Sequence, residues 1–229
     1  MPENNIIALE IELYDNSTII EEYDKNNLTE LYFPNRNIKN IKHLLEFNNL
    51  KIFNCYYNVI SELDLSSLNS LEFLICCHND ISELKLPISL ETLWCSRNNI
   101  TELDLSNNIN LTELSCYSNY ILELDLSNNI NLRRLECAET YISELDLSNN
   151  INLKELDCRY NFNLTELKLP NSLKCLKCSF DMVSCLDFNS FNNLEELHCK
   201  NPQVDLAPSS LIKLYDVDNL YPKNLLSEI

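Results

Sequence analysis

Several residues carry types and spacings that could do chemistry. Cys175-x-x-Cys178 has the spacing of a tetrahedral zinc site, and Cys76-Cys77-His78 and His198-Cys199 set further sulfur and imidazole ligands side by side. The pairs Glu62/Asp64, Glu102/Asp104, Glu123/Asp125 and Glu144/Asp146 offer hard oxygen ligands of the kind that hold Ca²⁺. Proton transfer would have to use one of only three histidines, His43, His78 and His198, and none has a nucleophile constellation around it in the sequence. The chain contains no glycine, which excludes the Gly-rich loops that cradle phosphates and dinucleotides.

The elements that must position these residues are repeats. Leu90-x-x-Leu93-x-Cys95-x-x-Asn98-x-Ile100 recurs as Leu111, Leu114, Cys116, Asn119, Ile121, and again as Leu132, Leu135, Cys137, Thr140, Ile142. Anchors of this kind begin at Leu28, Leu50, Leu71, Leu90, Leu111, Leu132, Leu153, Leu173, Leu194 and Leu211, in steps of 17 to 22 residues. That is the signature of a stacked array of about ten coils. Each coil has two segments that alternate in and out, Leu-x-Cys and Leu-x-Leu, and an alternation of two is extended chain. Stacked coils then pair both segments as parallel strands about 4.8 Å apart. Leu86-Pro87-Ile-Ser-Leu90, Leu169-Pro170-Asn-Ser-Leu173 and Ala207-Pro208-Ser-Ser-Leu211 shorten the return link and predict narrower coils without a domain boundary.

This arrangement decides most of the chemistry. Cys55, Cys76, Cys95, Cys116, Cys137, Cys158, Cys178 and Cys199 share one inward position, so they form a column of free buried thiols too badly oriented to bridge. In each candidate zinc pair one residue faces the core and its neighbour faces out. No metal and no cofactor are therefore expected. Asn58, Asn79, Asn98, Asn119 and Asn161 follow the Leu-x-Cys segments and are positioned to satisfy turn backbone groups. The Glu/Asp pairs face outward on the opposite side and read as a solvated acidic stripe.

The pattern Leu-x-x-Leu-x-Cys-x-x-Asn-x-Ile-x-Glu-Leu-Asp-Leu-Ser resembles the leucine-rich repeat family. It is similar to the 21-residue, cysteine-bearing repeats of Listeria internalins over residues 28 to 219. The resemblance implies a right-handed solenoid of parallel β coils, with few or no helices, that binds proteins on its concave sheet. The Leu-Pro-x-Ser-Leu links also resemble repeats of bacterial effector ubiquitin ligases, and Cys185-Leu-Asp187 echoes their Cys-x-Asp. Here that triplet occupies the Glu-Leu-Asp positions of a repeat, so an enzyme is not expected and a role as the recognition part of a ligase is a minor alternative. The richness in Asn, Ile, Leu, Tyr and Lys fits an AT-rich genome such as that of a giant virus.

The formal net charge of −18 disfavours nucleic acid and anionic membrane and makes a basic protein surface the natural complement. The outward residues of the first segments sharpen this. The early coils display Tyr32, Ile52, Tyr56, Phe73, Ile75, Trp94 and Tyr117, while later coils display charge. An aromatic cluster bordered by charge is how a protein-binding hot spot looks, and these seven residues are the candidate partner-binding site. Folding back of Ile6 to Leu13 over the cluster is the bland alternative. Residues 1–27 are expected to cap the array, 28–219 to form the repeats, and 220–229 to form a tail. That tail either covers the last coil of a monomer or lets two molecules stack end to end as a weak dimer or structural assembly. Met1 to Tyr14 reads as neither signal peptide nor membrane anchor, so an intracellular, cytoplasmic setting is expected.

Overall fold

The computed structural model describes residues 5–179 and 193–199 together with the backbone of Lys213–Asp216. Two N-terminal strands, β1 (Ile6–Leu13) and β2 (Thr18–Asp24), form a hairpin. The coils follow as β3 (Glu30–Tyr32), β4 (Ile38–Lys42), β5 (Ile52–Asn54), β6 (Glu62–Asp64), β7 (Phe73–Ile75), β8 (Glu83–Lys85), β9 (Thr92–Trp94) and β10 (Glu113–Ser115). The array continues through β11 (Arg134–Glu136), β12 (Glu144–Asp146), β13 (Glu155–Asp157), β14 (Glu166–Lys168), β15 (Cys175–Lys177), β16 (Glu196–Cys199) and β17 (Lys213–Asp216). One short 3₁₀ turn, Leu44–Glu46, interrupts the first return link. Among the described residues no helix is long and apolar enough to cross a membrane.

The Leu-x-Cys segments make one ten-stranded parallel sheet in the order β17-β16-β15-β13-β11-β10-β9-β7-β5-β3. About seven turns are complete within the continuously described stretch, fewer than the ten repeats counted in the sequence, because the later coils are described only in their strands. The register never slips. Leu31 pairs with Phe53, Phe53 with Leu74, Leu74 with Leu93, and Leu93 with Leu114. The ladder then runs through Leu135, Leu156, Leu176 and Leu197. A slip of one residue would turn every leucine out to solvent, which is why the repeat holds it. All eight repeat cysteines are buried, and the seven from Cys55 to Cys178 are free thiols.

The outer segments depart from the sequence reading. The repeat predicts that they pair along the whole array, but only two short ladders form among the described residues, β6 with β8 and β12 with β14. In both, a Glu-Leu-Asp segment faces a Glu-Leu-Lys segment, so that Asp64 opposes Lys85 and Asp146 opposes Lys168. The ion pairs span 3.4 Å and 2.8 Å. Where Glu-Leu-Asp meets Glu-Leu-Asp, at Glu102–Asp104 and Glu123–Asp125, like charges stack and no ladder closes. A cleft of about 430 Å³ opens there instead, lined by Glu102, Asp104, Glu123 and Asp125.

The hairpin also lies elsewhere than the bland alternative places it. β1 pairs antiparallel with β2 and with β4, the return segment of the first coil, rather than crossing the long sheet. Leu9 and Ile11 are fully buried in the common core beside it.

Candidate functional site

From β3 to β16 the long sheet buries the central residue of each strand, a leucine everywhere but at Phe53, and turns the residues on either side to the other face, where their exposure varies. Tyr32 and Phe73 are 46% and 38% exposed. Ile52, Tyr56 and Trp94 are half-buried, while Ile75 and Tyr117 are closed off at 8% and 7% exposure. The register explains the difference: Ile75 stands between Asn54 and Trp94 on the neighbouring strands, and the Arg97 guanidinium lies 5.8 Å from the Tyr117 ring centre. The structure therefore brings Tyr32, Ile52, Tyr56, Phe73 and Trp94 onto one face, with Ile75 enclosed in the same column between Asn54 and Trp94, and Tyr117 set apart beside Arg97. Tyr56 also gathers Tyr57 and His78, at 5.6 Å and 5.2 Å between ring centres. Burial, and then the Arg97 charge beside it, push the His78 imidazole below its usual value, which favours its neutral form.

The later half of the same face is polar and satisfied from within. Ser96 and Ser115 hydroxyls meet at 2.8 Å, Ser115 donates to Glu136 at 2.9 Å, and Arg134 binds Glu136 at 2.8 Å. Arg159 clasps Asp157 with 2.9 Å and 2.6 Å contacts, both side chains being almost fully buried. Charges already paired with one another gain little by meeting a partner, so the apolar half has more binding energy to offer.

Of the candidate zinc pairs, Cys76, Cys178 and Cys199 lie in the core, Cys175 is half-buried, and Cys77, expected to face out, is closed off at 7% exposure. Across strands, however, Cys175, Glu196 and His198 bring ligand atoms within 4.8 Å of one another. That grouping joins residues of two coils and is invisible to a search for local spacing. The donor set suits zinc, but the Lys177 ammonium acts on both Cys175 and His198 and opposes a divalent cation. Burial pushes the Cys175 thiol up to about 11, and burial followed by Lys177 lowers His198. In the ladder itself burial drives thiols far up, Cys116 to about 12, which keeps them protonated and unreactive.

Sequence reasoning missed two features of the turns. The residue before each ladder Asn or Thr adopts a left-handed conformation: Tyr57, His78, Arg97, Ser118, Glu139 and Tyr160 have φ of 53° to 59°. A second buried asparagine column, Asn108, Asn129 and Asn150, bonds carbonyls of the preceding coils, for example Asn129 Nδ2 to Leu105 O at 3.1 Å and Asn108 O at 2.8 Å.

No protein-family profile matches the chain, and no curated protein does. Solved structures do. The functional domain of InlJ from Listeria monocytogenes, which includes a cysteine ladder, is 27% identical, with a TM-score of 0.58 over 83% of this chain and 53% of that one. The leucine-rich repeat domain of APL1B superposes with a TM-score of 0.71 at 18% identity, over 85% of this chain and 65% of that one. In the LRIM1/APL1C complex the values are 0.61 and 20%, over 84% and 44%. The chain thus spans about half the length of the InlJ domain and less than two thirds of the others. With its unbroken register, inward thiol column and asparagine-capped turns, it has the leucine-rich-repeat fold in its cysteine-ladder form.

Proposed function

We propose that the chain is a non-catalytic protein-binding module whose contact surface is the early half of the concave sheet, centred on Tyr32, Ile52, Tyr56, Phe73 and Trp94. The observation that carries this is the exposure of Phe73 beside a half-buried Trp94 and Ile52 on a sheet face that charged residues cover elsewhere. Leaving such groups in water costs free energy that a partner recovers, and aromatic anchors dominate binding energetics. The partner presents apolar side chains ringed by Lys and Arg, which suits the net charge of −18. The LRIM1/APL1C complex lends fold-level support, since there one such solenoid is found in complex with another protein. Residues 1–27 act as a cap, a reading supported by the burial of Leu9 and Ile11 against the first coil.

The test is capture of partners from source-cell lysate by the wild type, by a Phe73→Glu/Trp94→Glu variant, and by a Glu123→Lys/Asp125→Lys variant of the outer face. Circular dichroism verifies that all three are folded. Partners lost only from the first variant support the concave site. Partners retained by it and lost from the second would move the site to the acidic side.

A further inference from the structure

A second aromatic surface lies outside the sheet, on the turn edge of the later coils. The residue following each ladder Asn or Thr points to solvent, and in three successive coils it is aromatic: Tyr120 (51% exposed), Tyr141 (48%) and Phe162 (82%). Tyr120 and Tyr141 stack with their planes 10° apart and centres at 5.9 Å. The stack ends there. Phe162 turns instead toward Tyr160, at 6.5 Å and 59°. Between them lies a cleft of about 370 Å³ whose one charged lining residue is Glu139.

The left-handed backbone at Glu139, with φ 54°, sends its side chain toward this edge rather than into the sheet network. Ser118 Oγ donates to one carboxylate oxygen at 2.5 Å, and among the described residues no cation pairs with the group. A half-buried carboxylate with one hydrogen bond and aromatic faces around it is complementary to a planar cation. An ammonium would supply charge alone. A guanidinium supplies charge, parallel N–H donors and a flat face for the rings.

We infer that this cleft is a receptor for an arginine side chain of a partner protein, with Glu139 accepting the guanidinium N–H groups and Tyr141 and Phe162 flanking its plane. The site is separate from the concave surface and stands whether or not that surface binds anything. It makes the edge of the later coils a second point of contact, where the sheet itself is self-satisfied.

The experiment is an aromatic-resonance NMR titration of the full chain with N-acetyl-arginine amide and with its uncharged isostere N-acetyl-citrulline amide. Saturable shifts at the Tyr120, Tyr141 and Phe162 rings with arginine alone are expected. They should weaken about tenfold or more in Glu139→Gln, as loss of a charge-assisted bond implies. Phe162→Ala should weaken them too, whereas Phe73→Glu/Trp94→Glu should leave them unchanged. Equal response to citrulline, or unaltered affinity in a folded Glu139→Gln variant, would overturn the assignment. So would no ring shift at all with arginine. Shifts that follow protein concentration instead of ligand would assign the cleft to a second copy of the chain, which also overturns it.

Discussion

At the scale of single residues, the asparagines divide into two kinds that look alike in the sequence. Asn119 donates to Cys95 O and Cys116 O at 3.1 Å and 3.0 Å, and its Oδ1 accepts from Ile100 N at 3.1 Å. Asn129 also donates twice, but its Oδ1 is buried without a partner. Removing either leaves carbonyls unpaired at about 1–3 kcal/mol each, while removing Asn129 also relieves an orphaned acceptor. Urea denaturation should therefore show Asn119→Ala losing about 3 kcal/mol or more and Asn129→Ala clearly less; equal losses would contradict this account. The first column is legible because the Cys-x-x-Asn spacing recurs. The left-handed position beside it is not. Such a position normally announces itself by Gly, and here its occupants are Tyr57, His78, Arg97, Ser118, Glu139 and Tyr160, which share no chemistry. They tolerate a cost of about 1–2 kcal/mol each because their amides are pinned across coils, as in Arg97 N to Tyr117 O at 2.9 Å and Glu139 N to Arg159 O at 2.9 Å. For the same reason the sequence does not flag Tyr120, Tyr141 and Phe162: an apolar residue after the ladder position has no place in the repeat's inward pattern.

At the scale of elements, period-two alternation locates the inner strands and their register, because one face of each is buried. It overestimates the outer ones: both ladders that form among the described residues carry an Asp–Lys ion pair, whereas Glu102–Asp104 pairs neither with the preceding Glu83–Lys85 nor with the following Glu123–Asp125. Each outer Asp also shapes its own turn. Asp64, Asp104, Asp125 and Asp146 accept from the amide two residues on, at 2.9 to 3.1 Å. Hydrogen bonds from Lys168 and then Ser148 hold the Asp146 carboxyl down to about 2. A depressed folded value means that this stabilisation is present above the ordinary value of 3.8 and is lost as pH falls toward 2. Lys168→Asp should open the β12–β14 ladder and lower the melting temperature by about 1–2 °C at low salt, with the difference fading at high salt. A melting point unchanged at low ionic strength would mean that charge does not govern the outer pairing. The burial of Ile75 and Tyr117 escapes the sequence for a related reason. Alternation tells which side a residue faces, but only the neighbouring strands tell whether anything covers it.

At the scale of the whole molecule, the thiol column ties stability to alkaline pH. Burial raises Cys55, Cys76, Cys95, Cys116, Cys137, Cys158 and Cys178 well above the ordinary 9.0, so the folded state keeps protons that the unfolded chain sheds. Stability is therefore complete below pH 9 and falls above it, by about 1.4 kcal/mol per thiol per pH unit. Seven acting together remove about 10 kcal/mol per unit, comparable with the whole stability of a domain. Unfolding should be steep between pH 9 and about 10.5, release about seven protons, and move to higher pH when Cys116 and Cys137 are replaced by Val. A gradual transition would show that the coils do not unfold as one. These same thiols are free, so among the described residues no disulfide cross-links one coil to the next, and each rung presents its neighbour with nearly the same set of bonds. Drawn out from its two ends, such a molecule peels rather than bursts. It would yield one coil at a time at nearly constant force, each releasing about 70 Å of chain at roughly 3.5 Å per residue, and act as a compact reel of slack.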